Sequence, residues 1–196
     1  VARQAADVDL LSGQRLSLGV GIGWNYVEYD ALGQDFGTRG KRVEEQVALL
    51  RRLWNEPLVD FSGRFDRVDR AALNPRPGRA IPIWFGGFAD IALQRAGALG
   101  DGFISADGAA DAFAQAARLH ELLDQAGKPR DGFGLHCNML RAKTPQAVVE
   151  TVKRWRDAGG TRASVSTMGL GHSSIDQHTA YIASVADALR SDGLIA

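Results

Sequence analysis

Arg15-Leu16-Ser17-Leu18-Gly19-Val20-Gly21-Ile22-Gly23-Trp24 sets apolar residues among glycines, and its reading decides the fold. The pattern predicts a buried strand over 15–22 that opens into a loop almost bare of side chains. Bare backbone at the carboxyl end of a strand is where α/β proteins let a flat or phosphorylated ligand approach. Ile81-Pro82-Ile83-Trp84-Phe85-Gly86-Gly87 repeats the design, with an apolar strand over 81–85, a glycine pair, and a helix to follow. Two such strand ends predict one small-molecule site built from several strands.

Working outward, strand and helix signals alternate along the chain. A helix from Thr38 to Trp54 follows the first strand, with Val43, Val47, Leu50 and Trp54 at helical spacing, Thr38 as N-cap, and Glu44 and Glu45 in its early turns. Residues 57–79 break the rhythm with Pro57, Gly63, Asn74-Pro75 and Pro77-Gly78, predicting a loop excursion with a short hairpin across 59–65. Helices are expected over 89–99, 109–126, 145–157 and from Ser173 or Ser174 to Arg190, alternating with strands over 103–105, 134–141 and 163–168. Thr144-Pro145 is an N-cap followed by proline at the first helical position.

Five strand-then-helix units in succession predict an α/β protein with a parallel sheet and helical crossovers. A closed (β/α)8 barrel takes about eight such units, so the expectation is one partial barrel domain over 1–196, with about the first three units absent from these residues. At 196 residues, 45% hydrophobic and 23% charged, with formal net charge +0, the chain has no basic stripe to attract nucleic acid or an anionic membrane. No apolar run approaches the roughly 20 residues that span a bilayer. The single cysteine, Cys137, forms no internal disulfide and reads as a buried strand thiol, which makes the cytoplasm the default compartment.

Candidate site residues follow from the strand ends. The amides of Gly86, Gly87 and Phe88 open a helix and suit a phosphate. Gly21 and Gly23 would let a ring lie against backbone, with Trp24 beside them. Gly19–Gly23 is G-x-G-x-G with a loop after it, so a dinucleotide fingerprint, a flavin-type strand and a merely structural glycine-rich strand all stay open. Ser105 follows a strand and is placed at the cofactor tail, and Asp107 is read as tail contact or helix cap. His136 is the best-placed titratable side chain, with a satisfied core histidine as the plainer reading. His120 reads as a surface residue, and His172 and His178 flank the last helix start without a zinc spacing. Arg39 and Arg42 are expected to pair with Glu28 or Glu45. No catalytic acid, base or nucleophile is assigned, and no metal.

In order along the chain, Ala5–Arg15, Gly19-Val20-Gly21-Ile22-Gly23-Trp24-Asn25, Glu28-Tyr29, Leu32-Gly33, Arg39–Glu45, Phe61-Ser62-Gly63-Arg64-Phe65, Pro75-x-Pro77, Ile81–Gly87 and Gly100-Asp101-Gly102-Phe103 resemble the carboxyl-terminal part of the luciferase-like monooxygenases. The resemblance implies a (β/α)8 barrel that binds FMN or the deazaflavin coenzyme F420, performs hydride transfer or monooxygenation on a small organic substrate, and is a homodimer. It implies cofactor contacts at Gly21, Gly23, Trp24, Gly86, Gly87, Phe88 and Ser105. Some members carry an acidic residue where Trp24 stands, so here an apolar wall is expected instead. A histidine near the flavin and a strained bulge belong to the family's first three strands, outside these residues. The rival reading is a non-catalytic truncated barrel that binds flavin weakly or acts through self-association.

Overall fold

The computed structural model describes residues 1–196 as two compact units, 1–84 and 85–196. In the first, α1 (Ala2–Leu11) buries Ala5, Ala6 and Asp9 and leads to β1 (Leu18–Val20). β1 is shorter than the expected 15–22 because side chains take its flanks. The Asp9 carboxylate accepts from Leu16 N at 3.2 Å, and Arg79 donates to Leu16 O at 2.6 Å. Beyond Val20, Gly23 at φ +70° ends the extended path. Leu18 N donates to Pro82 O at 2.8 Å, setting β1 beside the start of β4 (Ile83–Gly86).

A short helix, α2 (Tyr26–Ala31), occupies what the sequence suggested was loop; Asn25 caps it by accepting from Val27 N. α3 (Arg39–Asn55) buries Val47, Leu49 and Trp54. Thr38 makes no side-chain cap, because its hydroxyl donates to Asp35 O. The Trp54 indole donates to Ala2 O at 3.0 Å and ties α3 to α1. β2 (Val59–Ser62) and β3 (Arg67–Ala71) pair antiparallel, so the hairpin runs beyond the expected 59–65. Glu45 does not serve the helix dipole. It accepts from the amides of Arg64, Phe65 and Asp66 at 2.7–2.8 Å and clips the hairpin turn to α3.

The second unit continues from β4 through α4 (Asp90–Leu99), β5 (Gly102–Ala106), α5 (Ala112–Gln125), β6 (Gly134–Met139), α6 (Pro145–Asp157), β7 (Arg162–Val165) and α7 (Ile175–Ser191). The five expected strand-helix units are present, and β5, β6 and β7 run parallel in that order. The Thr144 hydroxyl accepts from Ala147 N ahead of Pro145, as the sequence predicted, and Ser174 caps α7. α5 begins three residues later than expected because Asp111 takes the amides of Phe113 and Ala114.

Side chains alternate across this sheet, so paired residues of parallel strands share a face. Phe103, Ser105, Leu135, Cys137 and Met139 are fully buried on one face. Ile104, Ala106, His136 and Asn138 form the other and are half-buried. No helix is long and apolar enough to cross a membrane.

Candidate functional site

In a parallel α/β arrangement every strand delivers its carboxyl end to the same edge, and ligands bind there. In the second unit that edge carries the loops after β4, β5, β6 and β7. The first is Gly86-Gly87-Phe88-Ala89. A Cβ at Gly87 would stand 2.7 Å from the Ala92 Cβ, so only glycine lets the strand turn this tightly into α4. Of the four helices of this unit, α4 alone opens without a side-chain cap, its N-cap being Ala89. Its first amides point away from the helix with no side-chain acceptor, which is the geometry that receives an anion. Phe88 beside them is 65% exposed.

Two polar side chains hold this edge. Gln115, 6% exposed on α5, donates Nε2 to Gly87 O at 3.1 Å and fixes the glycine turn from behind. Asp107, weighed as a helix cap, instead accepts from the amides of Leu140 and Arg141 at 2.6 and 3.1 Å. Those two amides are lost to the ladder, which is why β6 stops at Met139 rather than reaching 141. Neither role was visible in the sequence. The only signal for Gln115 was a polar residue in the helical stripe that holds Ala112, Ala116 and Leu119. Ser105 is 3% exposed and shares the buried face with Cys137, away from the half-open face.

On the half-open face His136 Nε2 and Ser164 Oγ are 2.9 Å apart, and the Ser164 hydroxyl donates to Asn138 Oδ1 at 3.3 Å. Arg162 is the register partner of His136 on β7. Burial, and secondarily the Arg162 charge, lowers the His136 pKa from its ordinary value, so the ring is neutral at pH 7. The plainer reading of His136 was a satisfied core histidine. The structure gives it one polar partner and a partly open ring.

The first unit places Gly21, Gly23 and Trp24 together after β1. Nothing lies within 4 Å of a Cβ built at Gly21. Gly23 takes positive φ, and the Tyr29 hydroxyl donates to Ile22 O to hold the loop against α2. Trp24 is 85% exposed and presents a flat apolar surface beside bare backbone. Arg39 does not pair with Glu28; it donates to Phe36 O at 2.8 Å and stacks 3.7 Å over the Phe36 ring. Arg42 lies 4.9 Å over Phe65 and adds its charge to the field at Glu45.

The remaining histidines serve other places. His120 lines a cavity of about 590 Å³ with Phe113, Arg130, Phe133 and Asp157, at the amino ends of β6 and β7. His172 packs edge-to-face on His178, ring centroids 5.1 Å apart. No group of three or more His, Cys, Asp or Glu residues is placed to hold a metal ion.

A family model described as luciferase-like monooxygenase matches residues 1–189. An uncharacterized protein of Mycobacterium tuberculosis is 36% identical over 162 residues, covering 82% of this chain and 54% of that protein. An F420-dependent glucose-6-phosphate dehydrogenase of Intrasporangium calvum is 30% identical over 167 residues, covering 79% of this chain and 49% of that one. The chain thus spans about half the length of these curated relatives. Among solved structures, the monooxygenase RslO1 from Streptomyces bottropensis superposes with a TM-score of 0.79 at 17% identity, covering 97% of this chain and 73% of its own. That likeness carries the fold.

Proposed function

Because this chain belongs to the luciferase-like monooxygenase family, we propose that it supplies part of the site of an oxidoreductase that binds F420 or FMN and acts on a small organic substrate. When bound, such a group would accept or donate hydride, or activate oxygen if it is FMN. The observation that carries the reading is the Gly87 turn. A strand ends on a glycine where an added Cβ would stand 2.7 Å from the Ala92 Cβ, so the turn into α4 is tight and bare, and the helix it opens has no side-chain cap. The amides of Gly87 and Phe88 fit the phosphate of either cofactor, and the F420-dependent relative supports the deazaflavin.

The chain's residues divide the work. Gly86, Gly87 and Phe88 hold phosphate, and Gln115 keeps their turn rigid. By itself the first unit offers bare backbone at Gly21 and Gly23 and the exposed apolar face of Trp24, surfaces that suit a flat ring. Ser105 is left out of this site because it lies on the buried face. The homodimer and the small-molecule partner belong to the same proposal, supported by exposed apolar residues such as Leu32 and Ile175.

The test is a fluorescence titration of the folded chain with FMN and, separately, F420. Binding of one in the micromolar range, weakened about tenfold or more by Gly87→Ala, is the expected result. A folded sample that binds neither overturns the proposal.

A further inference from the structure

We propose that the cavity at the amino ends of β6 and β7 is a second small-molecule site, and that it takes an uncharged heteroaromatic ring carrying one N–H donor. It lies at the opposite end of the strands from the Gly87 turn, and it stands whether or not that turn holds a cofactor phosphate.

The cavity comes from where small residues fall. Phe113, Ala117, His120 and Leu123 recur at helical spacing and turn one stripe of α5 to the loops that lead into β6 and β7. Ala117 is exposed and interrupts that stripe between two rings, while Ala158 and Gly159 line the other side just after α6. Gly132, at φ +86°, has no atom within 4 Å of a built Cβ, so the loop before β6 leaves the space open. The result is a hollow of about 590 Å³ with Phe113, Phe133 and His120 as its rings, a volume in the range of small-molecule pockets. Rings around a floor of methyl groups and bare backbone suit a flat aromatic guest.

The polar groups then select that guest. His120 rests against Gly159, where an added Cβ would stand 2.9 Å from Cε1. Neither ring nitrogen of His120 has a hydrogen-bond partner. Burial, and then the Arg130 charge, lowers its pKa against the pull of Asp124, so the ring is neutral at pH 7 and one nitrogen keeps a lone pair. Thr161 offers only its methyl group, since its hydroxyl donates to Leu135 O and accepts from Leu135 N. The charges cancel. Arg130 spends two nitrogens on the Asp124 carboxylate, Arg156 stands 3.7 Å from Asp157, and Arg154 lies 4.7 Å over the Phe113 ring. With Asp131 the three cations meet three anions, which leaves no net field to draw an ion. The His120 lone pair and the Asp131 carboxylate are acceptors without a partner, so the guest brings a donor.

Titration of the full chain, without cofactor, with indole tests this at pH 8, read at the His120 ring in ¹H–¹³C spectra with His178 as the control. The expected result is a saturating shift at His120. Indene, the same frame without the N–H, should bind about fivefold more weakly. Benzylammonium and benzoate should leave His120 in place. Ala117→Leu puts a good helix former at an exposed position and fills the hollow. It should weaken indole about tenfold or more with little change in thermal midpoint. Three results overturn the proposal: no saturable shift at His120 with indole, equal binding of indene or of either ion, or indole bound unchanged by the folded Ala117→Leu chain. If that variant does not fold, the wild-type comparison of the four probes decides.

Discussion

Replacing Asp9 by alanine should unfold the first unit more readily than any surface change, and its cost can be worked from the contacts. The Asp9 side chain is fully buried, while Arg79 is 29% exposed. Oδ1 accepts from Arg79 at 2.7 Å and from Leu16 N at 3.2 Å. Breaking one partner of a buried ion pair costs about 3–5 kcal/mol, because the other charge is stranded. Here water reaches part of Arg79, and its bond to Leu16 O survives, which places Asp9→Ala at the low end, about 3 kcal/mol. Asp9→Asn keeps an acceptor for Leu16 N but loses the charge, so about half of that cost is expected. The assay is urea unfolding followed by tryptophan fluorescence, with the m-value held constant between variants. In a double-mutant cycle with Arg79→Met, the coupling should exceed about 1.5 kcal/mol. A loss under about 1 kcal/mol for Asp9→Ala, or simple additivity with Arg79→Met, would refute the claim that this pair anchors α1 to β1.

Three further outcomes follow from the geometry. Burial alone would raise the Glu45 pKa, but the amides of Phe65, Asp66 and Arg64, with Arg42, hold it below its ordinary 4.5. A depressed acid stabilises above its unfolded pKa and loses that contribution as pH falls through the folded value. Glu45→Gln should therefore flatten the acid limb of stability below about pH 4.5, read from thermal midpoints across pH; an unchanged limb would count against the clip. Burial pushes the Cys137 thiol up to about 11, so a disulfide reagent at pH 8 should label it only after denaturant is added. Labelling of the native protein at the unfolded rate would contradict its placement. Gly87→Ala should lower the thermal midpoint by several degrees, since its methyl would meet Ala92; the clash predicts this even where no cofactor is added.

What the sequence showed and what it hid divide along one physical line. Thr144-Pro145, Ser174 and the apolar strand before Gly86-Gly87 were legible because their partners lie within a few residues. Asp9, Glu45 and Gln115 were not, because their partners lie 70, about 20 and 28 residues away. Side-chain acceptors also ended strands early: Asp9 at β1 and Asp107 at β6. The helix α2 went unread because glycines on either side suggested loop, and its one local signal, the Asn25 cap, was not read. The face of Ser105 was recoverable in principle. Phe103 two residues before it marks the buried side, and alternation carries Ser105 with it. Ser164 offered no signal until register set it beside Asn138.

Asp107 has a consequence for how such a site could diversify. Its carboxylate holds the loop after β6 by main-chain amides alone, at Leu140 and Arg141. Every residue but proline offers that amide. The Leu140 side chain packs on Gly108, where an added Cβ would stand 2.8 Å from it, so changing Leu140 disturbs that packing. Arg141 is exposed and under no such constraint. One acidic residue thus fixes the position of the rim while leaving the chemistry displayed at residue 141 open to substitution, so binding preference can drift there without disturbing the scaffold.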